Sequence, residues 1–184
     1  MLFQFNIQLN EVTKPPVWRR VLVPAEFTFQ QFHSVIQAAF GWENVHLFAF
    51  SPQGYGSHPI ISEPDNLGEP DWIAEKTKIK SIFNEVGQTF TYIYDFGDDW
   101  IHKITLEKIL SEVSSKATCL AGKGKCPPED CGGPFAYNHL KKVLNDPNHE
   151  DHSLMREWLW MEDDEEWDPN EFDLEEADWM VKGV

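Results

Sequence analysis

The sequence predicts an α+β protein: an antiparallel β-sheet built from hairpins, with a helix packed on one face and a helical C-terminal part. Three observations support this fold class. Segments in which apolar and polar residues alternate occur in pairs joined by turn-forming residues, as in antiparallel hairpins. One amphipathic stretch between them carries its own start and stop signals. The 184 residues, 41% of them hydrophobic, are sufficient for one core.

The first hairpin is predicted at the N-terminus. Apolar residues alternate with polar ones from Phe3 to Leu9, which is the period of a strand. A second strand runs from Val17 to Val23 and ends at Pro24. Pro15 and Pro16 precede this strand and favour an extended connection.

A helix is predicted from Phe29 to Phe40. Thr28 and Gln31 have the spacing of a capping box, and Gly41 is a typical C-terminal stop. The residues on the apolar stripe of this helix are Phe29, Phe32, Ile36, Ala39 and Phe40. The stripe indicates that one side of the helix packs on the sheet.

The middle of the chain is predicted to add a strand and a long connection. His46 to Phe50 is the pattern of a buried strand, and a long irregular segment rich in Pro and Gly follows from Ser51 to Asp71. A short helix is expected from Ser81 to Val86.

A second hairpin follows, with strands from Thr89 to Asp95 and from Trp100 to Glu107 around the turn at 96–99. Residues that alternate along the return strand share one face. These residues are Trp100, His102, Ile104 and Leu106.

The last third is predicted to be a loop followed by helices. Residues 111–134 have a loop-like composition, and helices are expected at 135–145 and 153–161. The main domain is therefore assigned to residues 1–161, and residues 162–184 form an acidic tail packed on it. A short helix begun by Asp173 is expected within this tail.

The charge of the chain narrows the classes of partner. Acidic residues number 31 against 15 basic ones, which gives a net charge of −16. Direct nucleic-acid binding is disfavoured, because such binding depends on Lys and Arg neutralising phosphates. A protein or a small molecule is the expected partner. The sequence contains neither a membrane span nor a signal peptide, which together with three unpaired cysteines favours the cytoplasm.

Three segments resemble the plasmid pRiA4b ORF-3-like family. These segments are Pro15–Val21 with the helix and Gly41-Trp42 behind it, Tyr94–Trp100 with His102, and Cys126–Gly133 with Tyr137. The resemblance spans residues 5–140 and leaves the acidic tail outside the motifs. It implies a compact α+β domain and an association with mobile elements, and it transfers no catalytic residue.

The second and third of these segments supply a candidate patch. Its members are Asp95, Asp98, Asp99, Trp100, His102, Glu129 and Asp130. The carboxylates of the turn and His102 could hold a divalent metal ion or act in acid/base chemistry. Alternatively, Asp95 and Asp98 accept backbone N–H bonds and shape the turn. We expect the turn and the 126–133 loop to line one concavity, with Trp100 as its wall and Asp98 and Glu129 at its opening.

The three cysteines and several other polar residues have two interpretations each. Cys119, Cys126 and Cys131 are either reduced thiols or, with His102 or His139, a Cys₃His zinc site, although the spacing lacks the usual Cys-x-x-Cys pairs. His33 and His46 are either core histidines or ligands that reach the second hairpin. Arg19 or Arg20 could form an ion pair with an Asp of the turn, or could bind an anion.

Two hypotheses for function follow. The first is a binding or protein-interaction module associated with mobile elements, because the usual signatures of catalysis are missing from the sequence. The alternative is a metal-dependent hydrolase or nuclease-like enzyme. Its centre would contain Asp95, Asp98, His102, Glu129 and Asp130, and it requires these groups to converge on one cleft.

Overall fold

The computed structural model describes residues 1–64 and 69–184. In these residues one mixed sheet of eight strands is accompanied by four α-helices. The strands are β1 (Leu2–Leu9), β2 (Trp18–Pro24), β3 (Phe48–Ser51), β4 (Ile61–Ser62), β5 (Trp72–Ile73), β6 (Thr89–Tyr94), β7 (Trp100–Leu110) and β8 (Thr118–Lys123). The helices are α1 (Phe29–Phe40), α2 (Gly133–Leu144), α3 (His152–Trp158) and α4 (Leu174–Lys182).

The strands lie in the order β5-β4-β3-β6-β7-β1-β2-β8. Every neighbouring pair is antiparallel except β4 and β5, which run parallel. The two predicted hairpins, β1–β2 and β6–β7, are both present, and β7 pairs with β1 to join them. The α+β fold class is therefore confirmed.

Helix α1 begins and ends where the sequence predicts. Thr28 and Gln31 form both hydrogen bonds of the capping box, and Gly41 ends the helix in the left-handed conformation with a φ of 94°. Its apolar face is fully buried against aromatic side chains of the sheet, including Phe5 at 4.8 Å from the Phe32 ring and Phe50 at 5.7 Å. These contacts fix α1, and the loop that follows it, relative to the sheet.

Two predictions for secondary structure are wrong. Strand β8 lies inside the segment predicted to be a loop, and a 3₁₀ turn at Ile79–Ser81 replaces the short helix expected at 81–86. Strand β8 forms because it pairs with β2 and packs against α4. Such tertiary contacts cannot be recognised from local sequence propensity. The 3₁₀ turn is fixed because Ile79 is buried and donates its N–H to the Phe27 carbonyl.

The connection from Ser51 to Asp71 is less irregular than the sequence suggests. It contributes β4, whose Ile61 pairs with Phe50 of β3. Residues 65–68 of this predicted segment lie outside the described residues. Strand β3 itself begins at Phe48, so His46 precedes the strand and is free to point elsewhere.

The acidic tail packs on the rest of the fold through α4. Asp173 caps this helix by accepting from the Glu176 N–H, as predicted, and Ala177 and Val181 are buried against β8 and α1. None of the helices in the described residues has the length and apolar character needed to cross a lipid bilayer.

Neither Arg19 nor Arg20 pairs with an Asp of the turn. The Arg19 guanidinium is buried 4.1 Å from the Phe172 ring and donates to the backbone carbonyls of Trp18, Ala39, Lys123 and Gly124. Arg20 of β2 pairs instead with Glu107 of β7, across the intervening strand β1, at 2.6 Å. The ion pair expected from the sequence is therefore replaced by a cross-strand pair.

Candidate functional site

The hairpin turn at 95–99 and the loop at 126–133 lie against each other, as predicted. The Gly132 N–H donates to Asp98 Oδ2 at 2.9 Å. Gly133 is in the left-handed conformation, and a Cβ on it would lie 2.5 Å from the Asp98 carbonyl oxygen. The two loops therefore form one rigid unit at one end of β6 and β7.

His46 is the centre of the site. Its Nε2 atom lies 3.1 Å from Asp130 Oδ1, 3.6 Å from Asp95 Oδ2 and 3.8 Å from Glu129 Oε2. The imidazole comes from the segment between α1 and β3, whereas the carboxylates come from the turn and the loop. Three separate segments of chain thus converge on one nitrogen atom.

Asp95 is positioned by its own backbone. Its N–H donates to the Leu47 carbonyl, which ties the turn to the residue next to His46. Its Oδ1 atom accepts the Gly97 N–H at 2.9 Å, in the turn-shaping role expected for Asp. Oδ2 is left to face His46 from a side chain that is only 10% exposed.

Glu129 is also positioned by hydrogen bonds to one of its two carboxylate oxygens. Its Oε1 atom accepts from the Tyr94 hydroxyl at 2.9 Å and from the Glu43 N–H at 2.8 Å. Burial raises the pKa of Tyr94, and the Glu129 carboxylate raises it further, so the phenol stays protonated and donates. Oε2 is then directed toward His46.

Two atoms of this cluster are buried without a hydrogen bond. Within the part of the chain that the structure describes, His46 Nε2 and Glu129 Oε2 have no partner with hydrogen-bond geometry, although Asp130 is close to His46. A buried polar atom without a partner costs about 1–3 kcal/mol. A cation between these atoms would satisfy both of them and offset the repulsion among three carboxylates.

The spacing of the donor atoms suits a metal ion. His46, Asp95 and Asp130 offer ligand atoms that all lie within 4.8 Å of one another. Two ligands that each lie about 2.1 Å from one ion are about 3.0–3.5 Å apart in tetrahedral or octahedral geometry. Small movements of the side chains would close the difference. Imidazole with carboxylates is a donor set that takes Zn²⁺ or Mn²⁺.

Four residues of the predicted patch lie outside this cluster. The expected concavity with Trp100 as its wall is not what forms, because Trp100 is 0% exposed and belongs to the core. Asp98 accepts the Gly132 N–H and does not belong to the cluster around His46. Asp99 is exposed and accepts from the Tyr55 hydroxyl.

His102 is part of the core as well. Its side chain is fully buried, and burial lowers its pKa to about 3. Its Nδ1 donates to the Trp100 carbonyl at 2.8 Å. His102 is therefore a neutral core residue, away from the cluster around His46.

The three cysteines do not assemble into a donor group. All are free, and burial raises the pKa of each thiol, to about 12 for Cys131. Among residues 1–64 and 69–184, no cysteine belongs to a set of three potential ligands within 4.8 Å. A Cys₃His arrangement with His102 or His139 is not formed.

One other set of potential ligands occurs in the described ranges, at His139, His149 and Asp151. The Nδ1 atom of His149 already accepts the Asp151 N–H at 3.1 Å. This set lies nearer the surface and contains a single carboxylate. It is the weaker candidate for a metal ion.

The sequence carried only a weak signal for His46. A histidine beside a buried strand has two interpretations, and its three carboxylate partners are far away in the chain. What could be foreseen was that the turn and the loop adjoin. The convergence on His46 requires the segment after α1, whose path is set by tertiary packing.

Comparison with known proteins places the chain among relatives without an assigned function. The sequence profile of the plasmid pRiA4b ORF-3-like proteins matches residues 1–176, which include most of the acidic tail. The uncharacterized protein y4hQ of Sinorhizobium fredii is 36% identical over 163 residues, 87% of this chain and 81% of that protein. A crystal structure of a protein of unknown function, MM3350 from Methanosarcina mazei Go1, superposes with a TM-score of 0.79. It is 33% identical, and the alignment covers 95% of this chain and 96% of that one.

Proposed function

This chain belongs to the plasmid pRiA4b ORF-3-like family, and we propose that it is a domain that binds a divalent metal ion through His46, Asp95, Glu129 and Asp130. One observation carries the proposal. Among the residues that the structure describes, the buried His46 Nε2 atom finds no hydrogen-bond partner, and it faces carboxylate oxygens of three residues at 3.1–3.8 Å. An imidazole with three carboxylates has the ligand types that such an ion requires.

The surroundings of the site favour entry of a cation. The chain has a net charge of −16, which raises the local concentration of cations. The Asp130 side chain is 75% exposed, so the cluster is open to solvent on that side. The Gly97 N–H and the Tyr94 hydroxyl donate to Asp95 and Glu129, and these bonds orient the two buried carboxylates toward His46.

A metal-dependent hydrolase remains the second candidate. The exposure of Asp130 leaves a face on which a water molecule could bind a metal ion, and metal ions lower the pKa of bound water. The centre would then consist of Asp95, Glu129 and Asp130 with His46, in place of Asp98 and His102. Hydrolysis of bis(p-nitrophenyl) phosphate that requires both Zn²⁺ or Mn²⁺ and His46 would support this second role.

The association with mobile elements expected from the resemblance stays a prediction. The same holds for a protein or small-molecule partner. Neither is needed for the metal proposal, which depends only on the side chains around His46.

The proposal is tested by titrating chelator-treated protein with Zn²⁺ and Mn²⁺ by calorimetry, with bound metal counted by elemental analysis. We expect one strong site, and we expect the His46→Ala variant to lose it. His58→Ala is the matched control, because His58 also faces a carboxylate, Asp71, but is 66% exposed and outside the cluster. A wild-type stoichiometry that His46→Ala does not change would contradict the proposal.

The other donor set requires its own variant. His139→Ala removes a ligand from the group at His139, His149 and Asp151 without touching His46. If metal binding survives His46→Ala and is lost in His139→Ala, the ion occupies the surface group and the proposed site is wrong.

A further inference from the structure

We infer that the cleft between α2 and α3 is a docking surface for a basic protein segment that also carries apolar side chains. The cleft meets the proposed metal site at Asp130, but docking of a segment in the cleft does not require a bound metal ion. Four large apolar side chains in α2, in α3 and directly after α3 are left in solvent. Phe135 is 89% exposed, Trp160 91%, Leu154 57% and Trp158 42%.

One of these side chains, Trp158, lines a preformed hollow. Helices α2 and α3 pack against each other and leave a cleft of about 320 Å³ between them. Its apolar lining comes from Ala136, Leu140, Met155 and Trp158, and the rest of the lining from Asp130, Cys131 and His139. Phe135 precedes Ala136 in α2, and Trp160 follows Trp158 after the end of α3. Large exposed apolar patches of this kind mark sites of interaction.

The charge beside the cleft specifies the partner. Residues 150–176 contain 13 acidic residues and one arginine, so most of the net charge of −16 lies in this stretch. The arginine, Arg156 of α3, donates to the backbone carbonyls of Glu162 and Glu165. These bonds fold the acidic loop back beside α3.

The carboxylates of that loop are free to pair with cationic side chains of a partner. The five side chains from Glu162 to Glu166 are all exposed, and none forms an ion pair with any residue in the described ranges. Five consecutive like charges repel one another, and a row of Lys or Arg residues on a partner would relieve the repulsion. The occupant that complements this surface is therefore basic.

Trp160 adds a second reason for a basic partner. It adopts a φ of 56°, which is uncommon for a bulky residue, and its N–H donates to the Glu157 carbonyl at the end of α3. The indole is thereby held in solvent directly before the acidic loop. An exposed indole next to carboxylates is suited to receive a Lys or Arg side chain over its face.

The occupant is thus a basic amphipathic segment of another protein. Its apolar side chains would enter the cleft beside Trp158, and its cationic side chains would meet Trp160 and the acidic loop. This arrangement corresponds to the groove mode of peptide recognition.

The probe is a fluorescent synthetic peptide of about 18 residues made of Leu and Lys in helical amphipathic order. Anisotropy is measured in EDTA, so that failure of the metal site does not affect the result. Two comparison peptides replace either Leu by Ser or Lys by Glu. We expect the Leu/Lys peptide to bind about tenfold more tightly than the Ser/Lys peptide, and the Leu/Glu peptide not to bind. Equal binding of the two Lys peptides would overturn the inference, because the cleft would then contribute nothing.

Variants locate the binding. The Trp158→Ala and Trp160→Ala double variant should weaken binding of the Leu/Lys peptide about tenfold. Trp179→Ala is the control, because Trp179 is a 74% exposed tryptophan on α4, outside the cleft. Circular dichroism and thermal melts check that each variant is folded. Equal effects of the double variant and of Trp179→Ala would contradict the inference, and so would sedimentation showing a dimer of this chain that the double variant abolishes.

Discussion

The carboxylates of the two loops differ in what their second oxygen atom contacts. Asp95 and Glu129 each use one oxygen to accept hydrogen bonds, from Gly97 and from Tyr94, and turn the other toward His46. Asp98 instead uses its carboxylate to join the turn to the loop at Gly132. Residues of the same type in the same short segment therefore have different roles.

Replacing Glu129 by Gln separates metal binding from stability. The amide oxygen can still accept from Tyr94 and from the Glu43 N–H, so the loop should keep its position. The negative charge near His46 is lost, and we expect the affinity for Zn²⁺ to fall about 10- to 100-fold, as calorimetry would measure. The free energy of unfolding in EDTA should change by less than about 0.5 kcal/mol. Asp99→Asn is the control, because Asp99 is exposed outside the cluster. Unchanged affinity in Glu129→Gln would remove Glu129 from the site.

Replacing Asp98 by Ala should affect the stability of the fold more than the affinity for metal. The Gly132 N–H loses its acceptor, and we expect the free energy of unfolding to fall by about 1–2 kcal/mol in urea titrations. Asp98→Asn keeps an acceptor oxygen and should lie closer to the wild type. Metal affinity should change little in Asp98→Asn. A loss of metal binding in that variant without a change of stability would return Asp98 to the site.

At the scale of elements, the site depends on how closely the turn meets the start of α2. Gly133 begins that helix with a φ of 77°, and its α-carbon lies against the backbone of Asp98. A side chain cannot be accommodated there without separating the two loops. At Gly133, therefore, the loop that carries Glu129 and Asp130 packs directly against the turn that carries Asp95.

Gly133→Ala should be considerably more harmful than the same change at Gly87. Both glycines have positive φ, 77° and 91°, so both variants include the conformational cost of about 1 kcal/mol. At position 133 the new methyl group meets backbone, whereas no atom of the described residues lies within 4 Å of a Cβ at Gly87. We expect Gly133→Ala to lose at least about 2 kcal/mol more stability than Gly87→Ala, measured by urea unfolding, and to weaken metal binding. Equal losses would mean that the loops are not fastened at this point.

The elements that sequence reasoning predicts correctly are those determined locally. The helix α1 follows from Thr28, Gln31 and Gly41, and the start of α4 follows from Asp173, because capping involves residues within one turn. Strand β8 could not be predicted in this way, since its pairing with β2 and its cover by α4 are tertiary. The candidate site follows the same rule. Contact between the turn and the loop was foreseen from their composition, whereas the position of His46 depends on the path of the whole chain after α1.

At the scale of the whole molecule, the aromatic core contains two buried histidines. His33 of α1 is hydrogen-bonded to the Tyr92 hydroxyl at 2.8 Å and to Asn44 at 2.7 Å, and its ring stacks on Phe48. His102 of β7 packs between Phe40 and Tyr92. Burial lowers the pKa of His33 to about 4 and that of His102 to about 3. Both imidazoles are therefore neutral in the folded protein over a wide range of pH.

Stability should consequently fall as the pH drops from about 6.5 toward 4. The unfolded chain protonates both histidines near their ordinary pKa of 6.5, whereas the folded protein does so only near 4 and 3. In this window the unfolded state binds more protons, so acid favours unfolding, by about 1.4 kcal/mol per pH unit for each histidine. Urea titrations in EDTA at several pH values between 6.5 and 4.5 measure the slope, above the range in which most carboxylates titrate. His102→Phe, which keeps an aromatic ring in the core, should reduce the slope by about 1.4 kcal/mol per pH unit, which corresponds to one proton. His58→Ala, which removes an exposed histidine, is the control. A stability that stays level across this range, or a slope that His102→Phe does not change, would show that the core histidines take up protons without unfolding.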